Sequence, residues 1–424
     1  MNARPRRTSG AFCAAAILVA ALGVAPAAGA ATPKVISART GASVILSDTG
    51  GVRTTVETLT LAKGSWTISS NITVVDFGSG DFVRCLLDEA GTVLDGGATT
   101  YVANTVADLA NSSTVKAAAP FTVTLDCSHD ANATSSNQFY IDPGATLLAV
   151  NGGPINGAAR TAKAAPTVLQ RRTTAATPLP QATKSPVASL LLAAGQWDVR
   201  ANLSGVSFSG LAFIDCTLSS GGQASGVEVS VGNADDLVAD LVVQNVFVLG
   251  AAARVSLNCY AYQADGVYID PGATLTASLV APANVLAGPV RTATLSDTGG
   301  ALTKVFHEIL PAGDWRISSA ATAYILNSNG GIGGATDFVR CELLAGKNAI
   351  DGGATVRISQ DDPSDFGNYE QAILDTGTFS AKKPWTLSLS CSHDATIATS
   401  AHWTIALSSP VIAIQQGPIQ SSVT

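Results

Sequence analysis

From about residue 31 onward, apolar and polar residues alternate with a period of two, the mark of strands that bury one face. Phe121, Val123, Leu125 and Cys127 fall on one side of such a run, and Thr122, Thr124 and Asp126 on the other. The same arrangement returns as Trp385, Leu387, Leu389 and Cys391 against Thr386, Ser388 and Ser390, and as Val255, Leu257 and Cys259 against Ser256, Asn258 and Tyr260. A second kind of run pairs Val83, Cys85 and Leu87 against Phe82, Arg84 and Leu86. A third places Trp66 with Ile68, Trp197 with Val199 and Trp315 with Ile317, each Trp starting a strand shortly after a Gly. Helical periodicity is not evident beyond the first thirty residues, and Gly, Thr, Ser and Asp-Gly punctuation recurs at strand-like spacing. The pattern predicts an all-β protein of sandwich type, with Trp66, Trp197 and Trp315 as core anchors.

The runs belong to a longer period. Ser47-Asp48-Thr49-Gly50-Gly51 recurs at residues 296–300, Asp81-Phe82-Val83-Arg84-Cys85 at 337–341, and Cys127-Ser128-His129-Asp130 at 391–394. Leu94-Asp95-Gly96-Gly97-Ala98-Thr99 has its counterpart in Ile350-Asp351-Gly352-Gly353-Ala354-Thr355. A diverged middle copy keeps Gly195-Gln196-Trp197, Cys216 and Cys259, and shares Tyr268-Ile269-Asp270-Pro271-Gly272-Ala273 with Tyr140-Ile141-Asp142-Pro143-Gly144-Ala145. These matches predict three tandem antiparallel β-sandwich, jelly-roll-like domains of about 131 residues, each large enough for its own core. The expected divisions are 31–150, a link at 151–165, 166–280, a link at 281–288, and 289–424.

Residues 1–30 have the form of an export signal, with Arg4, Arg6 and Arg7 before an apolar run and Ala28-Gly29-Ala30 as a cleavage site. No later stretch reaches the roughly 20 apolar residues needed to span a bilayer, so a secreted protein without a membrane span is expected. Only 13% of residues are charged while 46% are hydrophobic, so Ser, Thr and Asn supply the polarity of the outer faces. Taking three Arg from 24 basic residues, against 31 acidic ones, leaves a net charge of −10. That sign provides no footprint for nucleic acid and disfavours anionic membrane surfaces. Six Cys remain in the exported part, and although six allow 15 pairings, bonding within each copy (Cys85 with Cys127, Cys216 with Cys259, Cys341 with Cys391) is the economical assignment.

Candidate chemistry is sparse. Ser128-His129-Asp130 and Ser392-His393-Asp394 place triad residues in a row, but neighbours in a strand point to opposite sides, and the middle copy has Tyr260-Ala261-Tyr262 instead. No zinc spacing links the four His, no cofactor motif is present, and no metal site is expected. The loose acidic groups Asp235, Asp236 and Asp240, and Asp361, Asp362 and Asp365, read as solvated loops, with calcium as the alternative. Asn71, Asn111, Asn132 and Asn202 head Asn-x-Ser/Thr triplets, which would accept glycans in a host that modifies them. Tyr101, Tyr260 and Tyr262 are the aromatics that could face a ligand.

With its Gly-x-Trp strand followed by two Cys strands, each copy resembles a repeat of exported bacterial proteins of unassigned function. It is also loosely similar to the jelly roll of complement globular heads and tumour necrosis factors, carried by Gly313-Asp314-Trp315-Arg316-Ile317 and the closing run Trp403 to Ile414. The resemblance implies trimerisation through aromatic and apolar faces, which three copies could reach as an intramolecular pseudo-trimer or the chain as a homo-oligomer. The expected function is non-enzymatic, in cell-surface or extracellular interaction or structure, with an unknown protein or glycan as partner. A carbohydrate-binding array is the alternative, and a secreted hydrolase, which would need a deep polar cleft, the third.

Overall fold

The computed structural model describes residues 35–423 apart from 77, 79, 103–104, 132–137, 152–167, 209–211, 232–237, 263–265, 281–284, 289–290, 328–335, 352, 360–369, 395–400, 408–409 and 417–418. The signal-like residues 1–30 lie outside the described residues. Every described element is a β-strand, and the strands form six sheets that pair into three sandwiches.

Each sandwich repeats one plan. One sheet is centred on the Trp strand, Gly64–Asp76, Gly195–Ser207 or Gly313–Asn327. Along most of its length this strand pairs antiparallel with a companion, Thr105–Ala117, Val238–Leu249 or Glu370–Ala381. The opposing sheet centres on the second Cys strand, Phe121–His129, Ala253–Tyr262 or Trp385–His393. On one side of it runs the first Cys strand, Asp81–Glu89, Ala212–Ser220 or Thr336–Ala345, and on the other Thr54–Leu61, Ser185–Leu192 or Thr303–Leu310. The strand Val285–Ala287, within the segment expected as the second link, pairs with Ile412–Gln416 of the third sandwich.

The period-two pattern places its apolar members between the sheets, so each repeat owns a separate core. Trp66, Trp197 and Trp315 are buried in them. Each indole N–H donates to a carbonyl of the turn before its strand, Ala62, Ala193 or Pro311 respectively. The polar tip is thereby satisfied while the ring stays dry. Cys85 and Cys127, Cys216 and Cys259, and Cys341 and Cys391 sit directly opposite one another across neighbouring strands, and all three pairs are disulfides.

The three sandwiches lie in parallel against one another, because side chains of equal height meet across them. Thr67 contacts Ser278 at 2.7 Å and Ser37 contacts Thr378 at 3.2 Å. Arg316 forms an ion pair with Asp198, its own counterpart in repeat 2. The first and last described strands are tied as well, since Ile419–Val423 pairs in parallel with Val35–Arg39 of repeat 1.

Removing one disulfide by a double Cys-to-Ala change tests how far each core depends on its clasp. For Cys216 and Cys259, 43 residues apart, the loop-entropy model gives a loss of about 4 kcal/mol. Denaturant titration of the oxidised double variant against the parent reads this directly.

Candidate functional site

The Ser-His-Asp runs are structural braces. His129 is fully buried, with Nδ1 3.3 Å from the Asp81 carboxylate and Nε2 against the Ser47 carbonyl. His393 repeats this with Asp337 at 2.9 Å and the Ser296 carbonyl. The turn closes through Gly51 N–H to the His129 carbonyl, and Gly300 N–H to that of His393. Three motifs that recur in sequence, Ser-Asp-Thr-Gly-Gly, Asp-Phe-Val-Arg-Cys and Cys-Ser-His-Asp, are therefore one network. Both nitrogens of each ring are occupied, and Ser128 and Ser392 take no part.

The three candidate tyrosines do not share a face. Tyr101 belongs to repeat 1, where its ring meets Phe82 edge-on at 5.1 Å. Tyr260 and Tyr262 stand together on repeat 2, with ring centroids 4.6 Å apart and their hydroxyls in contact. Tyr260 Oη donates to Asp215 at 3.0 Å. Partial burial and then the Tyr262 and Asp215 hydrogen bonds push its hydroxyl upward in pKa, so it remains a donor.

The densest polar constellation lies where the repeats meet. Ala110, Val242 and Leu374 occupy the same register position on the three companion strands and cluster with Ala320. Opposite them on the Trp strands stand Asn71, Asn202 and Ala320. Asn202 donates across to the Ala110 carbonyl at 3.0 Å, and Asn71 donates across to the Leu374 carbonyl at 2.5 Å. Asp240 accepts from Ala110 N–H at 2.9 Å, and Asp108 accepts from Thr355 N–H at 3.3 Å and from Leu374 N–H. These links run cyclically from repeat 2 to 1 and from 1 to 3. The third step would need polar groups at Ala320 and Ala372, and both are alanine.

Two expectations are corrected here. Asp240 is no loop carboxylate but a buried acceptor in this hub, while Asp235, Asp236, Asp361, Asp362 and Asp365 lie outside the described residues. Asn71, Asn111 and Asn202 are buried amides, and Asn132 lies outside the described residues. Their Asn-x-Ser/Thr spacing has another cause: in a strand, residues two apart share a face. Thr73 follows Asn71 to reach Asp108 at 2.7 Å, and Ser204 follows Asn202 to accept Thr99 N–H at 3.2 Å.

Towards the rim, Asp270 of repeat 2 faces Arg84 of repeat 1, and Asp142 of repeat 1 faces Arg340 of repeat 3. Burial lifts both carboxyls and the arginines pull them back. Arg84, Gly96, Gly97, Thr99, Ser204 and Asp270 line a hollow of about 320 Å³. Here Gly96 must be glycine, since a Cβ would come within 2.1 Å of the Gly272 carbonyl oxygen. A second hollow, of about 250 Å³, lies between repeats 1 and 3 and includes Ser37, Arg39 and Thr378 in its lining. At the matching place between repeats 1 and 2, Gln170 stands in register for Ser37. Its Oε1 accepts from Thr114 N–H at 2.7 Å and Thr114 Oγ1 at 2.9 Å.

One difference between repeats is chemical. Asp95 accepts from Leu87 N–H, Gly97 N–H and Asn111 Nδ2, the last at 2.7 Å. In repeat 3, Asp351 has the two backbone donors, but the residue matching Asn111 is Asp375. Burial holds Asp95 and Asp351 at about 6, and burial followed by the Asp351 charge drives Asp375 well above the usual carboxylate range. These folded-state values exceed the ordinary value near 3.8, so the native protein binds protons that the unfolded chain releases. Stability is then full below pH 4 and is lost as pH rises through about 6 and beyond. Asp375→Asn, which restores the repeat 1 arrangement and removes one of the two buried carboxyls, is expected to flatten this decline, so that the variant loses less stability between pH 5 and pH 7.5 than the parent. Thermal melts of both proteins across that range check it.

Set beside known proteins, no family model and no curated sequence matches the chain. Among solved structures it has a weak likeness to the triple jelly roll of an archaeal virus turret assembly, with TM-score 0.21, 11% identity, and coverage of 86% of this chain and 83% of that one. PNGF-II gives 0.27 and 8%, covering 80% and 100%, and T=1 particles derived from infectious bursal virus give 0.22 and 9%, covering 89% and 84%.

Proposed function

We propose that this chain is a non-enzymatic exported protein that acts in extracellular or cell-surface interaction or structure, as one pseudo-threefold block. The observation that carries the reading is where its polar residues are spent. The His, Asp, Asn and Arg groups that recur between copies brace turns or bind one repeat to the next, leaving both nitrogens of His129 and His393 engaged. Export agrees with three disulfides and with the lack, among the described residues, of any helix long and apolar enough to cross a membrane. Small-angle scattering tests the block: a compact particle of residues 31–424 has a radius of gyration of about 21 Å. Three beads on a string would be markedly larger, and would end this reading.

A second reading, carbohydrate binding, is favoured by one feature, the half-buried Tyr260 and Tyr262 beside Asp215 on repeat 2. Aromatic rings stack on sugar C–H faces and a carboxylate accepts from sugar hydroxyls. Glycan-array binding that is lost in Tyr260→Ala would replace the first reading with this one; silence of the parent protein on the array is the expected result.

A further inference from the structure

The end of the block where the Trp strands begin carries a pattern that neither the turns nor the hub explains. Leu191, Val248, Leu279 and Ile309 are 64%, 62%, 40% and 68% exposed. Each is the penultimate residue of its strand, in Ser185–Leu192, Val238–Leu249, Thr274–Val280 and Thr303–Leu310, and all four strands finish at this end. Folding does not require apolar residues there. The register-equivalent places elsewhere are Thr60, Lys116, Ser380, Asn151 and Gln415. Phe379 and Trp385, half-buried and 4.5 Å apart, add an aromatic pair at the same end.

The charges there are also one-sided. Lys116 is the penultimate residue of Thr105–Ala117, and Arg254 the second of Ala253–Tyr262. Lys63, Lys347, Lys382 and Lys383 occupy the intervening turns, and all six cations are exposed. Against them stand half-buried Glu89 and Asp314, and exposed Glu308 two residues inside its strand end. A chain with a net charge of −7 over its full length thus presents a basic face.

We propose that this end docks on an anionic lipid bilayer, its aliphatic tips entering the headgroup boundary while the six cations meet lipid phosphates. The tips come from four separate strands and project singly. A fluid interface accommodates such tips without the matching pockets a rigid protein partner would need. Each surface Lys or Arg adds attraction to an anionic leaflet, and six together suffice for reversible binding without a membrane span. The proposal goes beyond the functional reading above, which names no surface, and its failure would leave that reading standing.

Co-sedimentation with vesicles of phosphatidylcholine alone, and of phosphatidylcholine mixed equally with phosphatidylglycerol, tests it. The disulfide-bonded full chain and the chain starting at residue 31 should both bind the mixed vesicles and not the neutral ones. Lys382→Glu with Lys383→Glu should weaken binding at least tenfold, and so should Leu191→Ser with Ile309→Ser, with melting temperatures unchanged. The proposal is overturned by no binding to mixed vesicles, or by binding that vanishes without residues 1–30. Equal binding to soluble polyglutamate, untouched by the Leu191 and Ile309 changes, would also overturn it and assign the face to acidic polymers.

Discussion

The cost of burying polar strand faces governs this molecule. A sandwich buries one face of each sheet and leaves the other wet, but here the outer face of each Trp sheet is polar and covered by a neighbouring repeat. Ser69, Asn71, Thr73, Asn202 and Ser204 are all buried. Each such group would cost about 1–3 kcal/mol if left unpaired. Pairing comes from the adjacent copy, through Asn71 to Leu374, Asn202 to Ala110 and Ser204 to Thr99. A repeat by itself would return these faces to water, so the neighbours that make the surface dry also supply these three partners. The parallel pairing of Ile419–Val423 with Val35–Arg39 closes the same logic through the backbone.

The sandwich plan was legible because period two is unambiguous where Cys, Leu and Val face Thr and Ser. The three disulfides follow from the same alternation, which puts each pair on apolar faces of neighbouring strands. The hub was harder to read. Asn71, Asn202 and Asp240 lie on outward faces, and a strand pattern alone cannot distinguish a face turned to water from one turned to another copy. A signal was present, in that Asn-x-Thr and Asn-x-Ser stand five and seven residues beyond the Trp in repeats 1 and 2. A glycan acceptor has the same spelling, and only the cross-repeat contacts separate the two. The basic end was hidden for a related reason: its six cations come from turns and strand ends scattered between Lys63 and Lys383 and are outnumbered by acids elsewhere.

The middle copy's divergence has a physical pattern. At two junctions an Arg of one repeat faces an Asp of the next, Arg84 with Asp270 and Arg340 with Asp142. The position of Arg84 and Arg340 is Asp215 in repeat 2, and that of Asp142 and Asp270 is Ala406 in repeat 3. At this third junction Ala320 and Ala372 likewise replace the polar hub residues. The Asn, Asp and Arg elements of the repeating contact are therefore missing from the same interface, while Thr322 keeps the place of Thr73 and Ser204. In its place stand the Arg316–Asp198 ion pair, the Gln244 bond to the Pro410 carbonyl at 3.0 Å, and the apolar cluster of Val246, Ile412 and Ile414.

Coordinated loss of this kind follows from the energetics of buried pairs. Removing one partner of a buried hydrogen bond strands the other, whereas replacing both by apolar groups is close to neutral. Intermediate states that keep one half are disfavoured, so a junction moves as a set. Asp215 is the instructive survivor: it has no arginine opposite, yet it is not stranded, because Tyr260 donates to it and Tyr262 supports Tyr260. The tyrosine pair that stands out in the sequence as a binding platform thus has a structural role, donating with Thr217 to Asp215. Any ligand at this face would have to compete with the Tyr260 hydroxyl for Asp215, which sets a polar entry cost on the carbohydrate reading and none on the basic, aliphatic end.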